Sequence, residues 1–481
     1  MKLNILTTPK SLEYGLYLLI FLLPWQTRWM IKPGELNGGY WEYNTYSLYA
    51  FDILLAVFLF FCFFVFFRSK FKIQNSKFKI QKVWWLVGVL EFFVFLSIFF
   101  APDWKLALYG YGRFLLGVGL LFLLTQIKYD KIKLYWSLVA AGVIQSSLAM
   151  QQFLTQTVIG NKWLGMAAQT AGDLGVSVVE AGDERFLRAY GSLPHPNILG
   201  GFLAIVLLVN IILYFDLWRI LWRKRHVDVS PANESAYQAG LLLSLIFFVI
   251  NFTGLLLTFS RSAWLGFFVG FVVLLLHCSI VSRSKENVFN ILKFIFIIAA
   301  IGSLFIWGLR APILGRLNID NRLENKSLTE RANYNQEAWQ IIKKHWLFGV
   351  GIKNYGLGVY NEIDNNKSAY AYQPAHNVFL LVWAETGIFG LFCFFAFLLF
   401  CFLTLWRRRD FQSMSLLIAT VVIMLFDHWI WSLGFGILLF WLVTGIVYGC
   451  CHSRESGNPN NFEMFPLSRD PRLRGDDINV V

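Results

Sequence analysis

His376 and Asn377 stand where a long polar stretch gives way to an apolar run, and nine residues separate them from Gly387, with Gly390 three further on. A side chain at that point sits at the mouth of a membrane span, close to lipid head groups and within reach of water. Histidine is the residue most readily tuned to accept a proton near neutral pH, so a lipid-linked substrate would meet a base at that depth. An interfacial His-Asn pair that merely opens a helix fits the spacing as well, and the spacing does not choose between the two. Two other polar segments lie at similar span mouths: Arg188-Ala189-Tyr190-Gly191 leading into Leu193-Pro194-His195-Pro196-Asn197, and the tight turn Thr258-Phe259-Ser260-Arg261-Ser262. Arginine's planar fork grips phosphate oxygens in pairs and keeps its proton. Either arginine alone would snorkel to head groups just as well, but with an imidazole beside them they make anion clamps and a base, a set suited to a diphosphate leaving group.

The elements that must position these residues are membrane helices. With 481 residues, 57% hydrophobic, 18% aromatic and only 15% charged, the chain is too apolar for a soluble globular protein. The expected class is an all-α integral membrane protein of about twelve transmembrane helices with a large late periplasmic loop containing short helices. Apolar runs able to cross a bilayer lie at about Leu12–Trp25, Leu48–Phe67, Trp84–Phe100, Leu108–Leu124, Leu134–Gln152 and Asn197–Phe215. Six more follow at about Leu241–Phe259, Ala263–Val281, Val288–Trp307, Val378–Leu405, Met414–Asp427 and Trp431–Tyr448; the first and eleventh are short. The membrane domain is thus expected over residues 1–451, with loops at 155–196 and 308–375.

Charge sets the orientation. With the N-terminus inside, Lys and Arg crowd the inward connections, at Arg68–Lys82, Lys128–Lys133, Arg219–Arg225 and Arg407–Arg409, while outward connections carry few, chiefly Arg28, Lys32, Lys105 and Arg261. This is the positive-inside pattern, and it makes the formal charge of +13 a matter of topology and anionic lipid. No basic stripe interleaved with stacking aromatics lies in a soluble segment, so nucleic acid is not expected as a partner. In the second long loop Ser327-Leu328-Thr329-Glu330 reads as a capping box, with Tyr334, Ala338, Ile341, Ile342 and His345 following at helical spacing. An amphipathic helix of about four turns, ending before Gly349-Val350-Gly351, is expected there.

The remaining features exclude chemistry rather than suggest it. Cys62, Cys278, Cys393, Cys401, Cys450 and Cys451 fall within apolar runs or at their inward ends, leaving no outward pair for a disulfide. The outward carboxylates show no metal-ligand spacing of a known kind, and no P-loop, dinucleotide turn or nucleophile elbow is present. The sequence SKFKIQ at 69–74 recurs at 76–81 and reads as a tolerated insertion. The polar tail 452–481 lacks apolar periodicity, so a disordered cytoplasmic tail is expected.

The run from Arg331 through Trp339 to Gly349-Val350-Gly351, then Ala375-His376-Asn377, nine residues, and Gly387-Ile388-Phe389-Gly390, resembles the signature of the O-antigen ligase superfamily. The Thr258–Trp264 turn and the Arg188–Gly191 and His195–Asn197 elements resemble its other signatures. In place of the proline many members carry before Gly-Val-Gly, this chain has Trp346-Leu347-Phe348. The resemblance implies a GT-C-like membrane glycosyltransferase of the bacterial inner membrane, its active site facing the periplasm. It would move a glycan from undecaprenyl diphosphate to an acceptor hydroxyl of lipid A–core, with inversion and without a metal or other cofactor. On that reading His376 is the catalytic base or acceptor-orienting group, Arg188, Arg261 and Arg331 hold the diphosphate, and Asn377, Ser260, His195, Asn197, Gly387 and Gly390 support them. Transfer to another lipid-linked repeat unit (O-antigen polymerase) or to protein hydroxyls (O-oligosaccharyltransferase) shares the same pattern. A lipid-linked oligosaccharide transporter is the non-enzyme alternative, but carriers gather ionisable residues near the midplane, where Glu91 is the main candidate.

Overall fold

The computed structural model describes residues 10–68, 82–224, 231–280, 285–317 and 322–455. The repeated SKFKIQ segment and residues 456–481 of the tail lie outside the described residues. The chain is mostly helical, and each of the twelve apolar runs falls on a helix. Without water to solvate the backbone, a chain in lipid must satisfy its own N–H and C=O groups, and a helix does so within one segment. Among the described residues, seven helices are long and apolar enough to cross a membrane: Val83–Phe100, Trp104–Gln126, Lys131–Thr155, Pro196–Trp222, Glu234–Leu257, Glu286–Gly308 and Val378–Arg408. Four more, Ala50–Val65, Arg261–Leu276, Phe411–Phe426 and Gly434–Tyr448, are apolar but shorter, and the first, Lys10–Leu22, has 13 residues. Among the described residues, four small antiparallel strand pairs decorate the connections, the longest being Arg28–Lys32 with Tyr46–Tyr49 and Val178–Ala181 with Glu184–Leu187.

The helix Pro196–Lys224 is the centre of the bundle. Its apolar stretch is wholly enclosed, by the helices Lys131–Thr155, Pro231–Leu257, Arg261–Ile280 and Phe411–Phe426. Small residues set how closely these neighbours approach, since packing rather than hydrophobicity drives helix association in lipid. Gly266 and Gly270 lie on the face of the Arg261 helix that meets the Phe411 helix; a Cβ at Gly270 would stand 2.5 Å from Leu208 Cδ1 and 3.0 Å from the Ser415 carbonyl oxygen. That close contact brings the start of one helix, Arg261, to the same end of the bundle as the end of the other, next to Asp427.

The late loop departs from expectation at its start. Its long helix spans Arg322–His345, so Ser327 lies inside the helix and does not cap it. The earlier start follows from Glu324, a first-turn carboxylate that is buried against two arginines and ties the helix down ahead of the capping-box residues. The apolar stripe is as the periodicity requires: Tyr334, Ala338, Ile341 and Ile342 are buried, and the helix packs on Val378–Arg408. His345 stands at the stripe's edge and bonds Glu362 at 2.7 Å.

Candidate active site

The Gly-Val-Gly and Gly387 elements form one structural device. Gly387 has φ +73° inside the helix Val378–Arg408, which kinks there. The kink frees carbonyls that the next turn would have bonded, and the passing loop takes them: Val350 N–H donates to Ala384 O (2.8 Å) and Gly351 N–H to Glu385 O (2.9 Å). In return Ile388 N–H donates to Trp346 O at 2.9 Å. A Cβ at Gly387 would collide with the Leu347 carbonyl, and Gly390 leaves room for the Thr386 side chain. Both glycines therefore shape the half-helix that begins at His376-Asn377 and touch no site group directly. Asn377 caps that half-helix, its side-chain oxygen accepting from Phe379 N (2.9 Å) and Leu380 N (3.2 Å), while its amide donates to Leu425 O at 3.3 Å. This last bond pins the His376 end of one helix to the Asp427 end of another.

His376 is 16% exposed at its side chain and has Nδ1 3.7 Å from Asp427 Oδ1. That is an ion-pair distance, longer than a direct hydrogen bond, and Nδ1 has no hydrogen-bond partner. The ring is flanked by Tyr334 from the loop helix, stacked at 5.9 Å, and by His428, edge-on at 4.8 Å. Asp427 is buried, and its oxygens accept from Asn197 Nδ2 (2.9 Å) and from the His428 N–H (3.0 Å). Burial alone would raise the Asp427 carboxyl, but His376, His428 and Arg331 around it hold it below the usual carboxylate range, so it stays ionised. His428, whose Nδ1 bonds Ser432 Oγ at 2.7 Å, is held neutral by burial and by its His376 neighbour, its pKa lowered to about 3.

A continuous chain runs from this pair to Arg188. Arg188 Nη2 donates to Asn197 Oδ1 at 2.6 Å, Asn197 donates to Asp427, and Asp427 faces His376. Arg188 is buried and its Nε donates to the Thr258 carbonyl at 2.8 Å, which locks it onto the tight turn. His195 turns inward: Nε2 meets Ser177 Oγ at 2.9 Å, Nδ1 accepts from Asn197 N–H at 3.1 Å, and burial followed by Arg188 lowers its pKa to about 3. With Nδ1 committed as an acceptor, His195 orders the turn that presents Asn197.

The Thr258–Ser262 turn is built around Phe259 in the left-handed region, φ +49°. Ser260 is buried there, its Oγ 3.4 Å from Ser262 Oγ, and its carbonyl starts the helix by accepting from Trp264 N at 2.9 Å. Arg261, 34% exposed, extends to Glu324 at 3.0 Å. Arg316 donates to the same carboxylate and, through Nε, to the Phe259 carbonyl at 3.3 Å. Arg331 lies in the middle of the loop helix, where a start had been expected, and donates to Phe426 O at 3.3 Å, one residue before Asp427.

Contacts thus link His376 and Asn377 through Asp427 and Asn197 to Arg188 and the Thr258–Ser262 turn, and four partners were missed: Asp427, His428, Arg316 and Glu324. Asp427-His428 does carry a signal, being an ionisable pair at the end of an apolar run at the depth of His376. His376, Asp427 and His428 also bring possible metal-ligand atoms within 4.8 Å of one another, a cluster that linear spacing could not reveal. Yet both Asp427 oxygens already accept hydrogen bonds, and Arg331 adds positive charge beside them. The donor set suits an imidazolium partner better than a divalent cation.

A comparison with curated proteins finds no match to this chain. Arg188, His195, Asn197, Asp427 and His428 lie outside the stretch matched by a family model, whereas the Arg261 turn, Arg316, Glu324, Arg331 and His376 lie within it. Residues 246–395 match the family described as O-antigen ligase, and this match supports the chain's membership of the O-antigen ligase superfamily.

Proposed function

We propose that this protein is an O-antigen ligase-type glycosyltransferase that moves a glycan from undecaprenyl diphosphate to a hydroxyl of lipid A–core at the periplasmic face of the inner membrane. The observation that carries the reading is the His376–Asp427 pair at 3.7 Å, joined through Asn197 to Arg188. His376 takes the proton of the acceptor hydroxyl as the oxygen attacks the anomeric carbon, and the bond from that carbon to the diphosphate oxygen breaks. Asp427 stabilises the imidazolium that forms. Arg261 and Arg331 bind the departing diphosphate, and buried Arg188 adds its charge from behind while holding Asn197. Fixed donors aimed at developing charge are the largest single contribution in many enzymes. Single displacement inverts the anomeric configuration, and the donor set calls for no metal.

The acceptor is the finer part of the reading, and lipid A–core is favoured over a second repeat unit because of the long late loop with its Gly-Val-Gly and His-Asn elements. Twelve spans with the N-terminus inside and both long loops outside complete the topology. The test is to incubate purified protein with undecaprenyl-diphosphate glycan and lipid A–core, reading the product mass and the anomeric configuration of the new linkage. An inverted glycan on lipid A–core supports the proposal. Growth of the glycan on the lipid carrier with no transfer to lipid A–core would make it a polymerase, and translocation without any new linkage would make it a carrier.

A further inference from the structure

Glu324 stands inside the arginine cluster and not on the surface of its helix. It is 3% exposed; Arg316 donates to Oε1, while Arg261 Nη2 lies 3.0 Å from Oε2 but outside hydrogen-bond geometry, so Oε2 is buried without a hydrogen-bond partner. Arg188 feels the charges of Arg316, Glu324 and Arg331, and Arg316 those of Glu324, Arg261 and Arg331. Glu324 therefore meets two guanidinium groups directly, Arg316 and Arg261, and Arg188 is near enough to feel its charge, so three arginines share one carboxylate. Buried charges need partners, and this cluster is left strongly positive, a site that asks for an anion carrying more than one negative charge.

We propose that Glu324 is an internal stand-in for the donor's diphosphate. In the donor-free protein it holds Arg261 and Arg316 in place; when a diphosphate enters, it gives them up, and Arg316 becomes a further diphosphate-binding residue. The inference rests on the functional reading above. The contact to Arg261 yields first, because it lacks hydrogen-bond geometry and belongs to the more exposed arginine, 34% against 10% for Arg316. A carboxylate in a helix's first turn keeps the favourable interaction with the helix dipole after it is displaced, so release leaves it stabilised.

The test measures binding of farnesyl diphosphate to purified, detergent-solubilised protein, with inorganic pyrophosphate and phosphatidylglycerol as parallel probes. Glu324→Gln removes the competing charge, and the expected result is about tenfold tighter binding of farnesyl diphosphate and a similar gain for pyrophosphate, with phosphatidylglycerol unchanged. Arg316→Gln should weaken farnesyl diphosphate about tenfold. If Glu324→Gln does not fold, Glu324→Asp, which shortens the reach to Arg261, should tighten binding in the same direction by a smaller factor. Unchanged or weaker diphosphate binding in the folded variants would overturn the proposal and make Glu324 a positioning carboxylate. A gain confined to pyrophosphate would overturn the lipid-linked assignment, and an equal gain for phosphatidylglycerol would reduce the arginines to head-group anchors. Wild-type protein that binds no farnesyl diphosphate would instead refute the functional reading on which the proposal stands.

Discussion

Asp427→Asn removes the charge opposite His376 while keeping the side chain's size. At 3.7 Å and an effective dielectric of about 20, an imidazolium and a carboxylate attract by roughly 4.5 kcal/mol. If about half of the proton's charge has reached His376 in the transition state, the variant loses roughly 2 kcal/mol of stabilisation, or about 30-fold in rate. The donor's diphosphate is held by other residues, so the loss belongs in kcat and not in the donor's KM. Steady-state transfer from undecaprenyl-diphosphate glycan to lipid A–core, measured on purified protein at varied donor concentration, separates the two. Some stability is lost as well, because Asn197 Nδ2 and the His428 N–H both donate to this side chain and asparagine offers a single acceptor oxygen. Asp427→Asn turning over within twofold of wild type would refute the electrostatic pairing, and a raised donor KM with unchanged kcat would assign Asp427 a binding role.

Arg261→Lys keeps the charge and loses the fork, so transfer should fall at least about tenfold, roughly 1.4 kcal/mol; unchanged transfer kinetics would leave Arg261 a head-group anchor. Gly387→Ala places a Cβ against the Leu347 carbonyl at a positive φ and should cost about 2–3 kcal/mol, read as a lower unfolding temperature in detergent; wild-type stability would contradict the strained kink. His195 and His428 are both held neutral, with folded pKa values lowered to about 3, against about 6.5 when unfolded. Below about pH 6.5 the unfolded chain takes up protons that the folded protein does not, so stability is fully present above that pH. It falls as pH drops, by up to about 1.4 kcal/mol per pH unit for each histidine. Unfolding temperatures between pH 7 and 5 should show this decline, and His195→Gln should make it shallower; parallel profiles would mean that His195 is protonated in the folded protein.

The helical architecture was legible because apolar runs in lipid have few other options, and each run falls on a helix. The three signature segments were legible as well, since glycines, a proline-flanked histidine and a Ser-Arg turn mark backbone that cannot continue a helix. Their meaning was only half legible. Gly387 reads as part of a site motif, yet it is the kink that hands two carbonyls to the Val350-Gly351 backbone. Ser327 has every local feature of a cap, but the buried Glu324 starts the helix five residues earlier, at Arg322. Arg316, Glu324 and Asp427 were hidden for a common reason. Each acquires its importance from a partner on another element: Arg316 and Glu324 meet at the Arg261 turn, and Asp427 meets Asn197 and His376, 230 and 51 residues away in the chain. Helical periodicity reports which face of a segment is buried, and it is silent about which carboxylate ends beside which histidine.

The most direct measurement of the central claim is transfer by His376→Ala, with protein level and farnesyl diphosphate binding recorded on the same preparation. A base at this position predicts normal insertion and near wild-type diphosphate binding. Transfer should fall by roughly the 10²–10⁴-fold of a lost general base. His195→Ala serves as the comparison, because His195 orders a turn and its loss should lower protein level more than turnover of the surviving fraction. A well-expressed His376→Ala protein that transfers glycan at the wild-type rate would contradict the catalytic assignment.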